Sequence, residues 1–244
     1  MMTTLESYYA GAYWAARRES AEECARRAER FFSLLSLCDP IYTRWFEQAD
    51  SRKKALQLQF EPTSETFVRF FGKRKYKEGP HGFSFSAWTG NEEGHGGLLM
   101  MSCGSAFEGQ SNRCLLYLPS QEPEKERILR APVLTQMMHA MVLAWEPDWG
   151  VITPGDFRDS LSQPGHTGTF VGWLTYVSRN RGEVPPLPEP VRVQPVEDKG
   201  TLIILTPERL TASNSEHVSL GRRVQDVLRA KGLLEPVVSR RPTT

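Results

Sequence analysis

Residues 20–56 read SAEECARRAERFFSLLSLCDPIYTRWFEQADSRKKAL. Ser20 followed three residues later by Glu23 has the form of a capping box. The hydroxyl and the carboxylate each satisfy a backbone N–H that the first helical turn leaves free. Cys24, Ala28, Phe31, Leu35 and Cys38 then recur at the spacing of one helix face. Asp39-Pro40 closes this helix, and Pro40 is placed to open a second short helical turn carrying Tyr42, Trp45 and Phe46. The whole segment reads as scaffold: an amphipathic helix with an aromatic sequel, made to lie against a sheet, with no group suited to catalysis.

Working outward, Ser64 starts another expected helix through Phe67, Phe70 and Phe71, stopped near Gly72. Residues 131–145 predict a buried helix, with Pro132 near its first position and Leu134, Met137, Met138, Met141 and Trp145 along one side. Ser213 and Glu216 form a second capping-box pattern. It leads a final helix with Leu220, Val224, Val227 and Leu228 on one face and Gly232 at its stop.

Strands are expected between these helices. Residues 8–17 are rich in aromatic and small side chains, and residues 81–88 alternate Phe83, Phe85 and Ala87 against Ser84, Ser86 and Trp88. Residues 98–103 and 114–118 are continuously apolar, which predicts that both of their faces are covered. Further strands are expected at 149–153, 169–177 and 202–205. Short Gly-rich or polar loops favour antiparallel neighbours. Pro185, Pro186, Pro188, Pro190 and Pro195 mark an ordered polyproline connector or a sheet edge. The expected fold class is α+β: a mainly antiparallel β-sheet flanked by helices, as a single domain over residues 1–235, with residues 236–244 as a frayed tail.

Composition excludes several function classes. With 30 basic and 29 acidic residues the net charge is +1, far from the strongly basic balance of a protein that holds nucleic acid electrostatically. The N-terminal MMTTLESYYAGAYW has no basic segment followed by an apolar one, and no apolar run approaches the ~20 residues of a membrane span. A cytoplasmic protein is therefore expected, with no membrane partner. None of Cys24, Cys38, Cys103 and Cys114 stands in a C-x-x-C pair. They read as buried reduced thiols, with a Cys103–Cys114 cross-strand disulfide as the alternative.

The motifs of common chemistries are missing. His81, His95, His139, His166 and His217 make neither H-x-x-x-H nor H-E-x-x-H spacing, so neither metal nor cofactor is expected. There is no G-x-S-x-G, P-loop or G-x-G-x-x-G. His95 lies in a Gly-rich turn, His166 in the Gly165-His166-Thr167-Gly168 loop, and His139 on an apolar helix. Each has an ordinary structural reading as a turn, a polar connection and a core histidine. The basic run Lys73-Arg74-Lys75-Tyr76-Lys77 interleaves an aromatic as a nucleic-acid patch does, but equally reads as a solvated helix end complementing the helix dipole.

Six tryptophans stand out among the remaining residues. Trp88 precedes the turn bearing Glu92 and Glu93, and Trp149 follows Asp148. Residues 146–159 hold four acids and one arginine, net −3. Trp is both a core filler and a favoured interface anchor. Trp88, Glu92, Glu93, Asp148, Trp149, Asp156 and Asp159 are therefore the candidate partner-binding residues, aromatic anchors rimmed by acid that suit a basic partner.

The 20–56 stretch carries the aromatic Trp45-Phe46 and the run from Asp50-Ser51-Arg52 to Ala55-Leu56. It is followed by the 83–88 strand, the 131–145 helix and the 169–176 strand with Gly172-Trp173. In that order it resembles the bacterial immunity protein 52 family over most of residues 8–235. The resemblance implies the antidote half of a polymorphic toxin system. Such a protein binds a cognate toxin with a restriction-endonuclease-like DNase domain, delivered by contact-dependent or type VI secretion, and has no catalytic residues of its own. The alternative is a hydrolase or small-molecule enzyme with a dispersed site using His95, His166 and nearby acids. A third reading is a nucleic-acid module centred on residues 73–77.

Overall fold

The computed structural model describes residues 6–79, 82–161 and 168–238. One sheet organises them. Its strands are β1 (Tyr8–Trp14), β2 (Trp45–Glu47), β3 (Gln59–Phe60), β4 (Lys77–Glu78), β5 (Gly82–Trp88), β6 (Leu98–Cys103), β7 (Asn112–Tyr117), β8 (Trp149–Pro154), β9 (Leu174–Ser178), β10 (Arg192–Val196) and β11 (Gly200–Ile204). The spatial order is β10-β11-β9-β8-β1-β7-β6-β5-β2-β3, with β4 paired to β5, and every pairing is antiparallel. The helices are α1 (Ala21–Ser36), α2 (Arg52–Ala55), α3 (Ser64–Phe71), α4 (Glu124–Ile128), α5 (Ala131–Trp145), α6 (Gly155–Leu161) and α7 (Ser215–Ala230). This is the expected α+β class with a helix-flanked antiparallel sheet.

The capping box forms as read. Ser20 Oγ accepts from the Glu23 N–H at 3.2 Å, and the Glu23 carboxylate accepts from the Ser20 N–H at 2.7 Å. The buried side of α1 carries Cys24, Ala25, Ala28, Phe31, Phe32 and Leu35. α1 lies between α3 and α5 on one face of the sheet. Phe31 reaches Trp145 of α5, and Phe32 reaches both Phe67 of α3 and Trp45 of β2. α5 is apolar nearly all round because it is enclosed by α1 and by β1, β8 and β9. The sheet residues beneath these helices are the alternate ones: Ala10, Ala12 and Trp14, then Cys114 and Leu116, Leu99 and Met101, Phe85 and Ala87.

Several expectations need correction. Trp45 and Phe46 do not continue the turn opened by Pro40, which ends at Thr43. They form β2, because the period-2 arrangement sends Trp45 into the helical core and Phe46 to the opposite face. The strand expected from 169 begins only at Leu174. Residues 168–173 instead cross the other face of β8, where Val151 and Ile152 leave no room for a Cβ at Gly172. The final helix is capped by Asn214, whose side chain accepts from the Glu216 N–H at 2.9 Å, while Ser213 pairs with the Thr211 hydroxyl. Val227 is half-buried rather than part of the buried side, which is Leu220, Gly221, Val224, Gln225 and Leu228. All four cysteines are free. Cys103 pairs across the ladder with Phe83 and Cys114 with Met101, so the two never stand opposite each other.

The proline-rich segment enters the sheet as β10, an edge strand that includes Pro195. The proposed tail falls mostly beyond the described residues, as do His81 and the loop holding His166.

The largest departure concerns β6 and β7. Their continuous apolar character predicted cover on both faces. The helices α1, α3 and α5 cover one face only, and on the other Leu98, Met100 and Leu115 are half-buried while Tyr117 is 43% exposed.

A candidate binding face

The strand registers arrange the helix-free side of β5, β6, β7, β1 and β8 into three rows. At the end where β1 begins, the row runs Trp88, Leu98, Tyr117, Tyr9, Thr153. The middle row is Ser86, Met100, Leu115, Gly11, Val151, and the far row is Ser84, Ser102, Arg113, Tyr13, Trp149. The rows are continuous because antiparallel partners share a face.

The rings along these rows touch. Tyr9 and Tyr117 lie 6.4 Å apart between centroids, Tyr13 and Trp149 5.2 Å, and Trp88 and Phe46 6.1 Å. Phe170, from the crossing segment, closes one side of the face at 5.1 Å from Trp149. Behind that segment lies α7, whose Gln225 accepts from the Val171 N–H at 3.1 Å and donates to the Leu161 carbonyl at 3.0 Å. The Arg158 guanidinium of α6 sits 5.9 Å from the Tyr9 ring centre and pairs with Asp159 at 2.8 Å.

Burial pushes the Tyr9 and Tyr13 phenols above the usual range, with Arg158 opposing at Tyr9. Both are neutral hydroxyls at physiological pH, able to donate and to accept. The indole N–H groups of Trp88 and Trp149 are buried and have no acceptor among the described residues, as is true of Trp14 and Trp145 in the helical core. The face therefore offers rigid rings and little charge, an arrangement suited to binding.

The sequence-chosen residues fall around this face unequally. Trp88 and Trp149 lie at its corners, Trp149 only 3% exposed and Trp88 half-buried. Glu92 and Glu93 are exposed in the β5–β6 turn, immediately beyond the row that begins with Trp88. Asp156 and Asp159 are exposed on α6, which follows β8 at the same end. Asp156 accepts from the Phe157 N–H at 2.8 Å. Asp148 stands apart from these: its carboxylate accepts from the Ala15 N–H at 2.8 Å, its own N–H donates to the Tyr13 carbonyl, and its carbonyl accepts from Ser178 N–H. It ties strand ends together.

Tyr9, Tyr13, Tyr117 and Arg113 were missed. The signal was present in YYAGAYW, where Tyr9, Gly11 and Tyr13 alternate with Ala10 and Ala12. It was also present in NRCLLY, where Arg113, Leu115 and Tyr117 alternate with Cys114 and Leu116.

The histidines are used structurally where they are described. His95 Nδ1 lies 2.8 Å from the Glu124 carboxylate, and this bond is the main reason that carboxyl is held below its ordinary value. It ties the β5–β6 turn to α4, as do the bonds from Ser120 and Gln121 N–H to the Gly94 carbonyl. His217 Nδ1 accepts from the Thr211 N–H. Among the described residues no three His, Cys, Asp or Glu side chains gather as metal ligands would. Of the basic run, Lys75 pairs with Glu47 at 2.9 Å, and the Tyr76 hydroxyl donates to the same carboxylate. No helix among the described residues is long and apolar enough to cross a membrane.

Residues 6–237 match the profile of the family described as Immunity protein 52, and the chain belongs to that family. The Pseudomonas aeruginosa T6SS protein PA0821 has a similar fold, with a TM-score of 0.56 at 12% identity over 91% of this chain and 76% of that one. No curated protein matches the chain.

Proposed function

We propose that this protein is the antidote to a secreted toxin, binding the cognate toxin in the cytoplasm of the producing cell and blocking it. The toxin is a restriction-endonuclease-like DNase of a polymorphic or type VI secretion system. The observation that carries this reading is the family match across nearly the whole chain. The fold shared with a type VI secretion protein supports the delivery route. The chain folds as a single domain over residues 1–235 and acts by contact, with an interface of roughly 1,600 Å² in total. It performs no catalysis of its own.

The test is coexpression with the nuclease encoded beside it. Protection of the host DNA and a 1:1 complex on gel filtration are expected. Persistent DNA degradation without a complex overturns the proposal. A partner toxin that attacks cell wall or lipid rather than DNA overturns the nuclease assignment alone.

A further inference from the structure

We propose that the helix-free face of β5, β6, β7 and β1 is the surface on which the toxin docks. The toxin would meet it with an apolar patch flanked by a basic group at the Glu92/Glu93 end and an acidic group near Arg113. This rests on the toxin-binding reading above and adds the surface and the chemistry of its complement.

Three observations carry it. The first is extent. From β5 to β1 the three rows cover roughly 19 Å by 17 Å, about 320 Å², at ordinary strand spacing and rise. That is about two fifths of the ~800 Å² each partner gives to a standard interface. The β5–β6 turn and α6 border the face and can supply the remainder.

The second is exposure. Tyr117 stands 43% exposed between half-buried Leu98 and Tyr9, with half-buried Trp88 at the end of the same row. Aromatic side chains with a polar handle are the groups that carry most interface energy.

The third is charge. Glu92 and Glu93 at one end, and Arg113 in the opposite row, are exposed and make no ion pair among the described residues. The face is therefore bipolar along the strand direction. A partner of complementary polarity is held in one register, and one docked the other way round is repelled.

The test uses the full chain and the purified toxin domain encoded beside it, with affinity measured by calorimetry and stability followed by circular dichroism. Tyr117→Arg places a charge in the aromatic row of the face, between Leu98 and Tyr9, and is expected to weaken binding about 30-fold or more, the range of an interface hot spot. Glu92→Lys with Glu93→Lys alters only exposed side chains, so folding is preserved. It is expected to slow association about 10-fold and to reduce its salt dependence. Arg113→Glu is expected to weaken binding, and Leu37→Ala, at an exposed site after α1, to leave it unchanged.

Wild-type binding with all face variants within about 3-fold of it overturns the surface and leaves the antidote reading standing. No binding and no protection by the wild type overturns both. If the free chain is a dimer that Tyr117→Arg dissociates, the occupant is a second copy, and the proposal fails. Arg113→Glu binding more tightly than wild type overturns the assigned polarity.

Discussion

Tyr13 folds back over Gly11. A Cβ at Gly11 would lie 2.8 Å from Tyr13 Cε2 and 3.0 Å from both the Tyr13 hydroxyl and Leu115 Cδ2. The glycine is the floor on which the tyrosine ring rests, and its missing side chain keeps the middle row low. Gly11→Ala forces the Tyr13 and Leu115 side chains to move, but both are side chains at a partly open surface. The expected cost in stability is therefore small, about 1 kcal/mol or less. The Tyr13–Trp149 contact is expected to be disturbed, read as a change in the near-ultraviolet circular dichroism spectrum with little change in melting temperature.

Phe85 is the centre of the opposite, covered face. Its ring meets Phe60 at 5.6 Å, Phe67 at 5.6 Å, Phe70 at 5.3 Å and Tyr76 at 5.4 Å. Phe85→Ala removes a side chain 1% exposed whose neighbours come from α3, β3 and the turn before β4. The expected loss is about 3–5 kcal/mol, a fall in melting temperature of roughly 10 °C for a chain of this size.

Arg127 grips Asp39 through two bonds, Nε to one carboxylate oxygen at 2.5 Å and Nη2 to the other at 2.9 Å. The Asp39 side chain is only 4% exposed. Burial pushes this carboxyl up, but the guanidinium and the Ile41 N–H outweigh it and hold it below the usual range. The native state thus binds its proton less readily than the unfolded chain. The resulting stability is present above about pH 4 and is lost as pH falls through the lower native value. Arg127→Ala is expected to cost about 1–3 kcal/mol at pH 7. It should also flatten part of the acid limb when urea midpoints are compared between pH 2 and 5.

His139 on α5 has a buried Nε2 without a partner. Burial lowers the pKa of its imidazole, opposed by Glu197. The neutral form is the native one, so stability is full above the unfolded value of about 6.5 and declines as pH falls through the native value. His139→Leu is expected to remove that decline, measured as a flatter thermal-stability profile between pH 4 and 6.5.

The helical layer was legible in the sequence because its signals are local. The Ser20–Glu23 box, the Pro132 start and the Gly72 stop sit where each helix begins or ends. The sheet was legible as a set of strands but not as a surface. β2 and β3, with 3 and 2 residues, are too short for any period to show, and they exist because Phe46 pairs with Trp88 and Trp45 with Phe60. The open face was misread because residues 98–103 look the same whether helices or a partner protein cover them. An apolar strand records that burial is favourable, not what supplies the cover. Local acid content drew attention to Glu92, Glu93, Asp156 and Asp159, which are exposed in the β5–β6 turn and on α6. The same reasoning gave no weight to Tyr9, Tyr13 and Tyr117, whose relationship depends on register between strands more than 100 residues apart in sequence.

The sheet also ends in a particular way. One border strand, β10, contains Pro195, which has no N–H to offer a further strand, and the other, β3, is two residues long. Both features disfavour ladder extension by another molecule, so a wide sheet with one helix-free side is guarded against edge-to-edge association.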